Sequence, residues 1–429
     1  MRRERAPLPH AVSGESGFTV AELAVALLVT IEVILAVLLL FDFSNKLSRV
    51  QTNVTEMQQS LRIAQYDTVR LVRMTGRGGL PIGTLPADPN NMLGTALQVR
   101  NNVPANSLIA GIGTQPVLTG TDVLTIRGVL SGSLYQDQAS LVLNNATPTL
   151  ATAGTLLLTN QVRLDPIANL SATVTQDLSP LVKAIRDRIP EALVLQSLTD
   201  SSTYAVVELD PATSDISTPN SITVGFRISG DALTAGYAPL GQGNLFNPLS
   251  PPVRIRALGV LEEYRFYVRE EHAVSTDTNS DLTSKLARAR VYPGTNTPYQ
   301  GDPQNLAVDI ADNVTDFQVA LGFDSPLGGG SILNGTATSI VEDGTANDDW
   351  LFNAKADTPI NIANWNNSPL YFVRLNTLVR TDRRDPQYLA PQIIKIEDRD
   401  YTGSPFNAGT NLMFRRRLLQ TIIDLRNTG

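Results

Sequence analysis

The most apolar stretch of the sequence runs from Phe18 to Phe43 and contains three carboxylates, Glu22 and Glu32 in its interior and Asp42 at its end. About 20 apolar residues span the hydrocarbon core of a bilayer as a helix, and a charge placed there is costly unless it is paired. Phe18 and Glu22 are four residues apart, so they share one helix face. A carboxylate on this face needs a positively charged partner if the helix lies in a membrane.

Glu32 lies on a different stripe of the same predicted helix, about 80° around the axis from Glu22 at 100° per residue. Two interpretations stay open for it. It pairs with a basic residue of another protein, or it only shortens the apolar segment.

Residues and motifs typical of catalysis or metal binding are few in the rest of the sequence. Cysteine is absent, and the two histidines, His10 and His272, are far apart, which argues against cysteine sites, disulfides and a histidine metal site. None of the GxSxG, HExxH, P-loop or GxGxxG fingerprints stands in its required context. The sequence therefore predicts a protein that is not an enzyme and needs no cofactor.

One run, Asp277-x-Asn279-x-Asp281, has the spacing that opens a calcium loop. However, Leu282 stands where such a loop has its turn glycine, and Arg288 stands where it has its bidentate glutamate. A calcium site is possible with other geometry, but a solvated loop is the favoured interpretation.

The composition indicates a globular protein without the positive electrostatic field that would attract nucleic acid. Of the 429 residues, 42% are hydrophobic and 17% are charged, and the formal net charge is −7. The run Arg415–Arg417 could contact phosphates, but alternation along a strand sends its side chains to both faces, so solvated charge is expected.

The N-terminal helix should continue well beyond the apolar run. Residues 1–17 are polar and contain three arginines, which should hold this end in the cytoplasm. After Phe43, no Gly or Pro occurs before Gly76, and one stripe repeats with 3-4 spacing. That stripe consists of Leu47, Val50, Val54, Met57, Leu61, Ala64, Thr68 and Leu71. It predicts a helix over 18–75 that packs on the chain's own sheet, or alternatively a free coiled coil.

Beyond residue 76 the pattern predicts strands and loops, with one short helix at Pro180–Arg188. Strand propensity is high at 123–130, 192–198, 203–209, 221–228, 262–270, 316–324, 370–381 and 415–427. No internal repeat is present.

The junction Gly17-Phe18-Thr19-Val20-Ala21-Glu22-Leu23 resembles the signature of type IV prepilins. The resemblance implies that a prepilin peptidase cuts after Gly17 and methylates Phe18 as the new N-terminus. It also implies that Glu22 pairs with the Phe18 ammonium of a neighbouring subunit. Without the resemblance, the segment reads as a plain signal anchor in which Glu22 lies near the headgroups.

Further segments are similar to the PilW-type minor pilins and the minor pseudopilin J group. They are the helix end 61–79, the strand 120–128, a helix-to-strand element at 306–324 and a terminal strand at 414–427. The implied fold class is α+β: a pilin fold with a long N-terminal helix, transmembrane over 18–43, on an antiparallel β-sheet head with large inserted loops. The expected division is a leader over 1–17, a helix over 18–75 and a head over 76–429, with insertions near 131–250 and 325–368.

The function that the resemblance implies is that of a minor pilin, which joins, primes or forms the tip of a type IV pilus. Its expected partners are major and minor pilins, the prepilin peptidase, the inner membrane and the assembly platform. Its head would be periplasmic before assembly and would lie in an extracellular pilus or a periplasmic pseudopilus afterwards. The alternatives are a minor pseudopilin of a type II secretion system and a tip adhesin or binding module.

Overall fold

The computed structural model describes residues 19–78, 80, 96–104, 117–131, 135–143, 153–159, 180–197, 204–217, 221–227, 253–272, 282–293, 299, 307–323, 350–352 and 370–425. The chain divides into two compact units, Met1–Thr55 and Glu56–Gly429.

A single helix, α1 (Val20–Arg73), opens the described chain. It carries an acidic residue, Glu22, in its first turn and two basic residues, Arg70 and Arg73, in its last turn. Both placements favour the helix because they oppose the charges of its macrodipole. Residues of the first unit are exposed from Thr19 to Arg49, whereas the second unit buries one stripe of α1.

Seventeen strands and one further helix follow in the described residues. The strands are β1 (Leu97–Arg100), β2 (Val123–Gly128), β3 (Tyr135–Leu143), β4 (Ala153–Thr159), β5 (Ala192–Ser197), β6 (Tyr204–Leu209), β7 (Ser221–Arg227), β8 (Val253–Val260), β9 (Glu262–His272), β10 (Leu282–Val291), β11 (Ala307–Asp312), β12 (Val314–Phe323), β13 (Trp350–Phe352), β14 (Leu370–Arg380), β15 (Lys395–Ile396), β16 (Arg399–Asp400) and β17 (Arg416–Asp424). Helix α2 (Pro180–Asp187) lies between β4 and β5.

Two antiparallel sheets form the central part of the second unit. The five-stranded sheet has the order β1-β2-β9-β10-β11, and the four-stranded sheet has the order β13-β12-β14-β17. A small β15–β16 ladder and two 3₁₀ turns, Pro405–Asn407 and Gly409–Met413, lie in the connection between β14 and β17.

A third, six-stranded sheet has the order β3-β8-β5-β6-β7-β4. Its two end strands, β3 and β4, also lie against each other, so the sheet curls towards closure. We call these strands and α2 the curled sheet. Leucine, valine and isoleucine side chains from five of the strands fill its interior together with Leu181, Val182, Ala184 and Ile185 of α2.

The curled sheet is inserted between two neighbouring strands of the five-stranded sheet. Strands β2 and β9 pair in antiparallel register, and Gly128 at the end of β2 lies opposite Glu262 at the start of β9. The whole segment from β3 to β8 therefore connects two paired strands that a short hairpin turn could also connect. Strands β3 to β7 and helix α2 lie within the range near 131–250 that was predicted as an insertion, and β8 continues to residue 260. The predicted division of the chain itself stays a prediction.

The described part of the segment 306–324, residues 307–323, does not contain the helix that the resemblance to a helix-to-strand element implied. It forms two strands, β11 and β12, separated by Asn313, which has a φ of 59°. Val308 and Ile310 are β-branched, and β11 pairs with β10, so sheet pairing determines the conformation of a segment whose local pattern was ambiguous.

The predicted fold class is confirmed: a long N-terminal apolar helix is combined with antiparallel sheets in an α+β arrangement. The eight predicted strand segments coincide with β2, β5, β6, β7, β9, β12, β14 and β17, and the predicted short helix coincides with α2.

Candidate assembly site

The first turn of α1 is closed by a reciprocal pair of hydrogen bonds between Thr19 and Glu22. The Thr19 backbone N–H donates to Glu22 Oε2 at 2.9 Å, and the Glu22 N–H donates to Thr19 Oγ1 at 3.3 Å. The Thr19 hydroxyl also donates to Glu22 Oε2 at 2.9 Å. This is the capping box, in which the N-cap residue and the residue three positions later satisfy each other's free N–H groups.

Glu22 was singled out from sequence for its charge, but its capping role was missed. The signal was present as the pattern T-x-x-E immediately before an apolar run. Gly17 and Phe18, predicted as the cleavage position and the methylated N-terminus, lie outside the described residues. Glu32 is exposed on α1, and its two interpretations both remain predictions.

The first half of α1 is long and apolar enough to cross a membrane, and none of its most apolar 18 residues is buried. Large aliphatic and aromatic side chains are exposed along it from Val20 to Phe43. An uncovered apolar surface of this size is unfavourable in water, which indicates that a bilayer or other apolar surfaces cover it.

The second half of α1 packs into the head through the C-terminal part of the predicted stripe, whereas Leu47 is exposed and Val50 and Val54 are only half-buried. Met57, Leu61, Ala64, Thr68 and Leu71 are all buried, with intervals of four and three residues. The one polar member, Thr68, donates its hydroxyl to the Ala64 carbonyl at 2.8 Å, so burial leaves this hydroxyl satisfied.

Polar contacts fix α1 against two different sheets of the second unit. Gln65 Nε2 donates to Thr421 Oγ1 of β17 at 2.7 Å. Asp67 Oδ2 accepts from Arg288 Nη1 of β10 at 2.7 Å, and the Arg288 guanidinium lies 5.0 Å from the centre of the Tyr264 ring. These side chains set the rotation of the helix about its axis, which burial of a stripe alone sets less strictly.

The exit of α1 is bound to the end of β2. Gly76 has a φ of 78°, the left-handed conformation that commonly terminates helices, and its N–H donates to the Arg127 carbonyl at 3.0 Å. The Val129 N–H in turn donates to the Arg77 carbonyl at 2.9 Å. A Cβ on Gly128 would lie 3.1 Å from the Met74 carbonyl oxygen, so the close approach of these segments favours glycine there.

Arg127 itself is buried and forms a charged network inside the head. Its Nε donates to Glu263 Oε2 at 2.6 Å, and its Nη2 donates to Gln98 Oε1 at 2.9 Å. Glu263 also pairs with Arg265 at 2.7 Å. Removing one member of such a network would leave a buried charge uncompensated, so its evident role is to join β1, β2 and β9.

A second buried carboxylate group lies where β2 meets β12. Asp122 accepts from the N–H groups of Asn102 and Val319 at 2.9 and 2.7 Å. Asp316 accepts from Arg399 at 2.8 Å and from the Tyr401 hydroxyl. Burial raises the pKa of Asp122 well above its ordinary range, and these N–H donors oppose the rise.

In the part of the chain that the structure describes, no group of three or more His, Asp or Glu residues could hold a metal ion. The calcium-like run at 277–281 lies outside the described residues, so that prediction is untested. His272 ends β9.

The architecture defines a class of protein. An apolar N-terminal helix, suited to a membrane, packs its second half on an antiparallel β head. The family model for Type IV Pilus-assembly protein W matches residues 265–427, which is well under half of the 429-residue chain. No curated protein and no solved structure gives a significant match. The match and the helix together support a protein related to the type IV pilus and associated with its assembly.

The matched residues begin near the start of β9 and end just after β17. They include strands of the two central sheets that hold α1, among them β10 with Arg288 and β17 with Thr421. The curled sheet ends at residue 260 and lies outside the match.

Proposed function

We propose that this protein is a minor pilin, cut after Gly17 and built into a type IV pilus through α1. The observation that carries the proposal is the division of one continuous helix into an apolar, uncovered first half and a second half buried in the head. Such a helix can leave the bilayer without unfolding the head, because neighbouring helices in a filament can replace the lipid around it.

Glu22 would fix the position of each subunit along the filament. Its carboxylate is fully exposed next to the start of the helix, where the amino group of a mature Phe18 on a neighbouring subunit could reach it. Inside an apolar bundle, this ion pair would be strongly favoured over an unpaired carboxylate.

The test is N-terminal mass spectrometry on the protein from membranes and from sheared filaments. A mature chain that starts at N-methyl-Phe18 supports the proposal. An intact Met1 terminus, or a cut beyond Phe43, overturns it. A bulky substitution at Gly17 should block processing, and a normally processed Gly17→Leu variant would contradict the cleavage assignment.

A second candidate, a head that binds a ligand or a partner at the pilus tip, is favoured by the curled sheet. This large insertion is outside the match to the assembly-protein family, and its strands pair with one another rather than with strands of the two sheets that hold α1. A minor pseudopilin of a type II secretion system is the remaining alternative. The genes next to this one would distinguish a pilus from a secretion system.

A further inference from the structure

The curled sheet meets the five-stranded sheet at a seam with an apolar and an ionisable part. The apolar part consists of Leu80, Ala96, Val129, Ala192, Val194, Val206 and Leu261, all buried. The chain itself crosses the seam at Leu261, the single residue between β8 and β9, whose N–H donates to the Ala192 carbonyl at 2.8 Å.

The ionisable part, which we call the seam cluster, consists of Glu191, Glu262, Arg290 and Tyr299. Glu191 immediately precedes β5 of the curled sheet, whereas Glu262 and Arg290 belong to β9 and β10 of the five-stranded sheet. Arg290 Nη2 lies 3.2 Å from Glu262 Oε1 and 3.7 Å from Glu191 Oε1. The Tyr299 hydroxyl donates to Glu191 Oε1, and the Arg290 guanidinium lies 3.6 Å from the centre of the Tyr299 ring.

The charges of the seam cluster do not balance when both glutamates are ionised. One guanidinium, Arg290, then faces two carboxylates that are 1% exposed or less. The carboxylate of Glu262 is stabilised by three hydrogen bonds. Its oxygens accept from the N–H groups of Leu130 and Ser131 and from the Ser131 hydroxyl. Glu191 has fewer donors, since its Oε2 is buried and accepts no hydrogen bond from the residues that the structure describes.

We propose that the seam cluster is a proton-controlled joint, which holds the curled sheet closely against the five-stranded sheet when Glu191 is protonated and loosens when Glu191 loses its proton. A proton on Glu191 removes the surplus negative charge and leaves Arg290 paired with Glu262. Losing it places an uncompensated charge in a buried seam, where the unfavourable energy is relieved by letting water in.

Within the described ranges of the chain, the other charged groups near Glu191 do not supply the missing positive charge. Lys183 of α2 favours the ionised form, but only as the smallest of the influences on Glu191, and its ammonium lies 3.0 Å from Asp187. Tyr264 donates to Glu262 at 3.4 Å. Glu208 of β6, which pairs with Ala192 of β5, is a further buried carboxylate.

Burial raises the pKa of Glu191 from 4.5 to about 7, while Arg290 and the Tyr299 hydroxyl oppose this rise. A carboxyl whose pKa is higher in the closed form binds its proton more tightly there, so closure is favoured at low pH. That advantage is lost as the pH rises from 4.5 through about 7. Between pH 6 and pH 8 the closing equilibrium should weaken about tenfold.

The experiment is hydrogen–deuterium exchange on the full-length protein in detergent at pH 6 and pH 8, corrected for the intrinsic pH dependence of exchange. The informative amides are Leu261 and Leu209, which donate to the Ala192 and Glu191 carbonyls at 2.8 Å. Both bonds continue the ladders of β5 inside the curled sheet, at its edge next to Glu191, so they report the entry of water when the seam loosens. Wild-type protection at these amides should fall about tenfold between the two pH values. Glu191→Gln mimics the protonated carboxyl and should keep the same protection at both.

Two further variants keep the test decisive. Glu270→Gln, on β9 outside the seam cluster, should behave as wild type. Tyr299→Phe removes a donor to the ionised carboxylate, so its loss of protection should occur at a higher pH than in the wild type, an effect that a merely structural tyrosine would not produce. Wild-type protection that does not change with pH, or an equal fall in wild type and Glu191→Gln, would overturn the proposal.

Discussion

Glu22 combines two roles that act on different length scales. Within one chain it caps the first turn of α1 together with Thr19; in the proposed filament it would also neutralise an ammonium of a neighbour. The capping role needs a hydrogen-bond acceptor, whereas the pairing role needs a negative charge. The two can therefore be separated by substitution.

Glu22→Gln keeps an acceptor that suits the capping box but removes the charge. Thr19→Ala keeps the charge and removes the N-cap, at a cost of about 1 kcal/mol to the helix start. We expect Glu22→Gln to be processed normally and yet to be reduced severalfold in sheared filaments, with Thr19→Ala incorporated much more fully. The ratio of filament to membrane protein on immunoblots measures both. Normal incorporation of Glu22→Gln would contradict the pairing role.

At the scale of elements, α1 owes its place in the head to one buried stripe and to a few polar contacts. The stripe was predicted from spacing because intervals of three and four residues place side chains on one face of any helix. The partners of Gln65 and Asp67 could not be predicted, since Thr421 and Arg288 are more than 200 residues away in the sequence.

Two neighbouring positions of α1 make a matched test of this packing. Leu61 is 4% exposed and Ile63 is 49% exposed. Leu61→Ala should lower the free energy of unfolding of the head by about 2–5 kcal/mol, because it removes buried apolar contacts and leaves a cavity. Ile63→Ala should change it by less than about 0.5 kcal/mol. Denaturant unfolding of the full-length protein in detergent, followed by circular dichroism, compares them; equal losses would contradict the assigned face.

At the scale of the whole molecule, the curled sheet is an addition to a five-stranded sheet whose strand pairing is complete without it, although the two sheets share a buried apolar seam. The two ends of the insertion emerge next to each other, because Gly128 and Glu262 are paired across β2 and β9. An insertion with adjacent ends can be removed without separating the strands that carry it.

Replacing residues 132–259 with a short Asn-Gly turn should therefore leave a folded protein that is processed and incorporated into filaments. The apolar part of the seam becomes exposed, so Val129→Thr and Leu261→Thr should be added to limit aggregation. If the curled sheet binds a ligand or a surface, the shortened protein should enter filaments and yet lose adhesion. Filament counts and an adhesion assay on the same cells measure the two effects, with Glu22→Gln as the control that reduces incorporation with the curled sheet intact. Loss of processing on excision would contradict this division.

The sequence by itself determined the features that depend on neighbours along the chain. The apolar run at 18–43, the 3-4 stripe and the strand propensities are local patterns, and they were sufficient for α1, α2 and eight strands, while the α+β class was implied by the resemblance. The capping box of Thr19 and Glu22 was equally local and readable, although the charge of Glu22 drew attention away from it.

Only the tertiary structure decided which distant residues meet. Residues 307–312 became strand β11 rather than part of a helix because β10 offered pairing, whereas β12 was already predicted from its own residues. Glu191 acquires its shared Arg290 and its raised pKa from elements separated by about a hundred residues in the chain. Burial and charge balance are properties of the packed assembly of strands, so the seam between the curled sheet and the five-stranded sheet could not be foreseen from sequence alone.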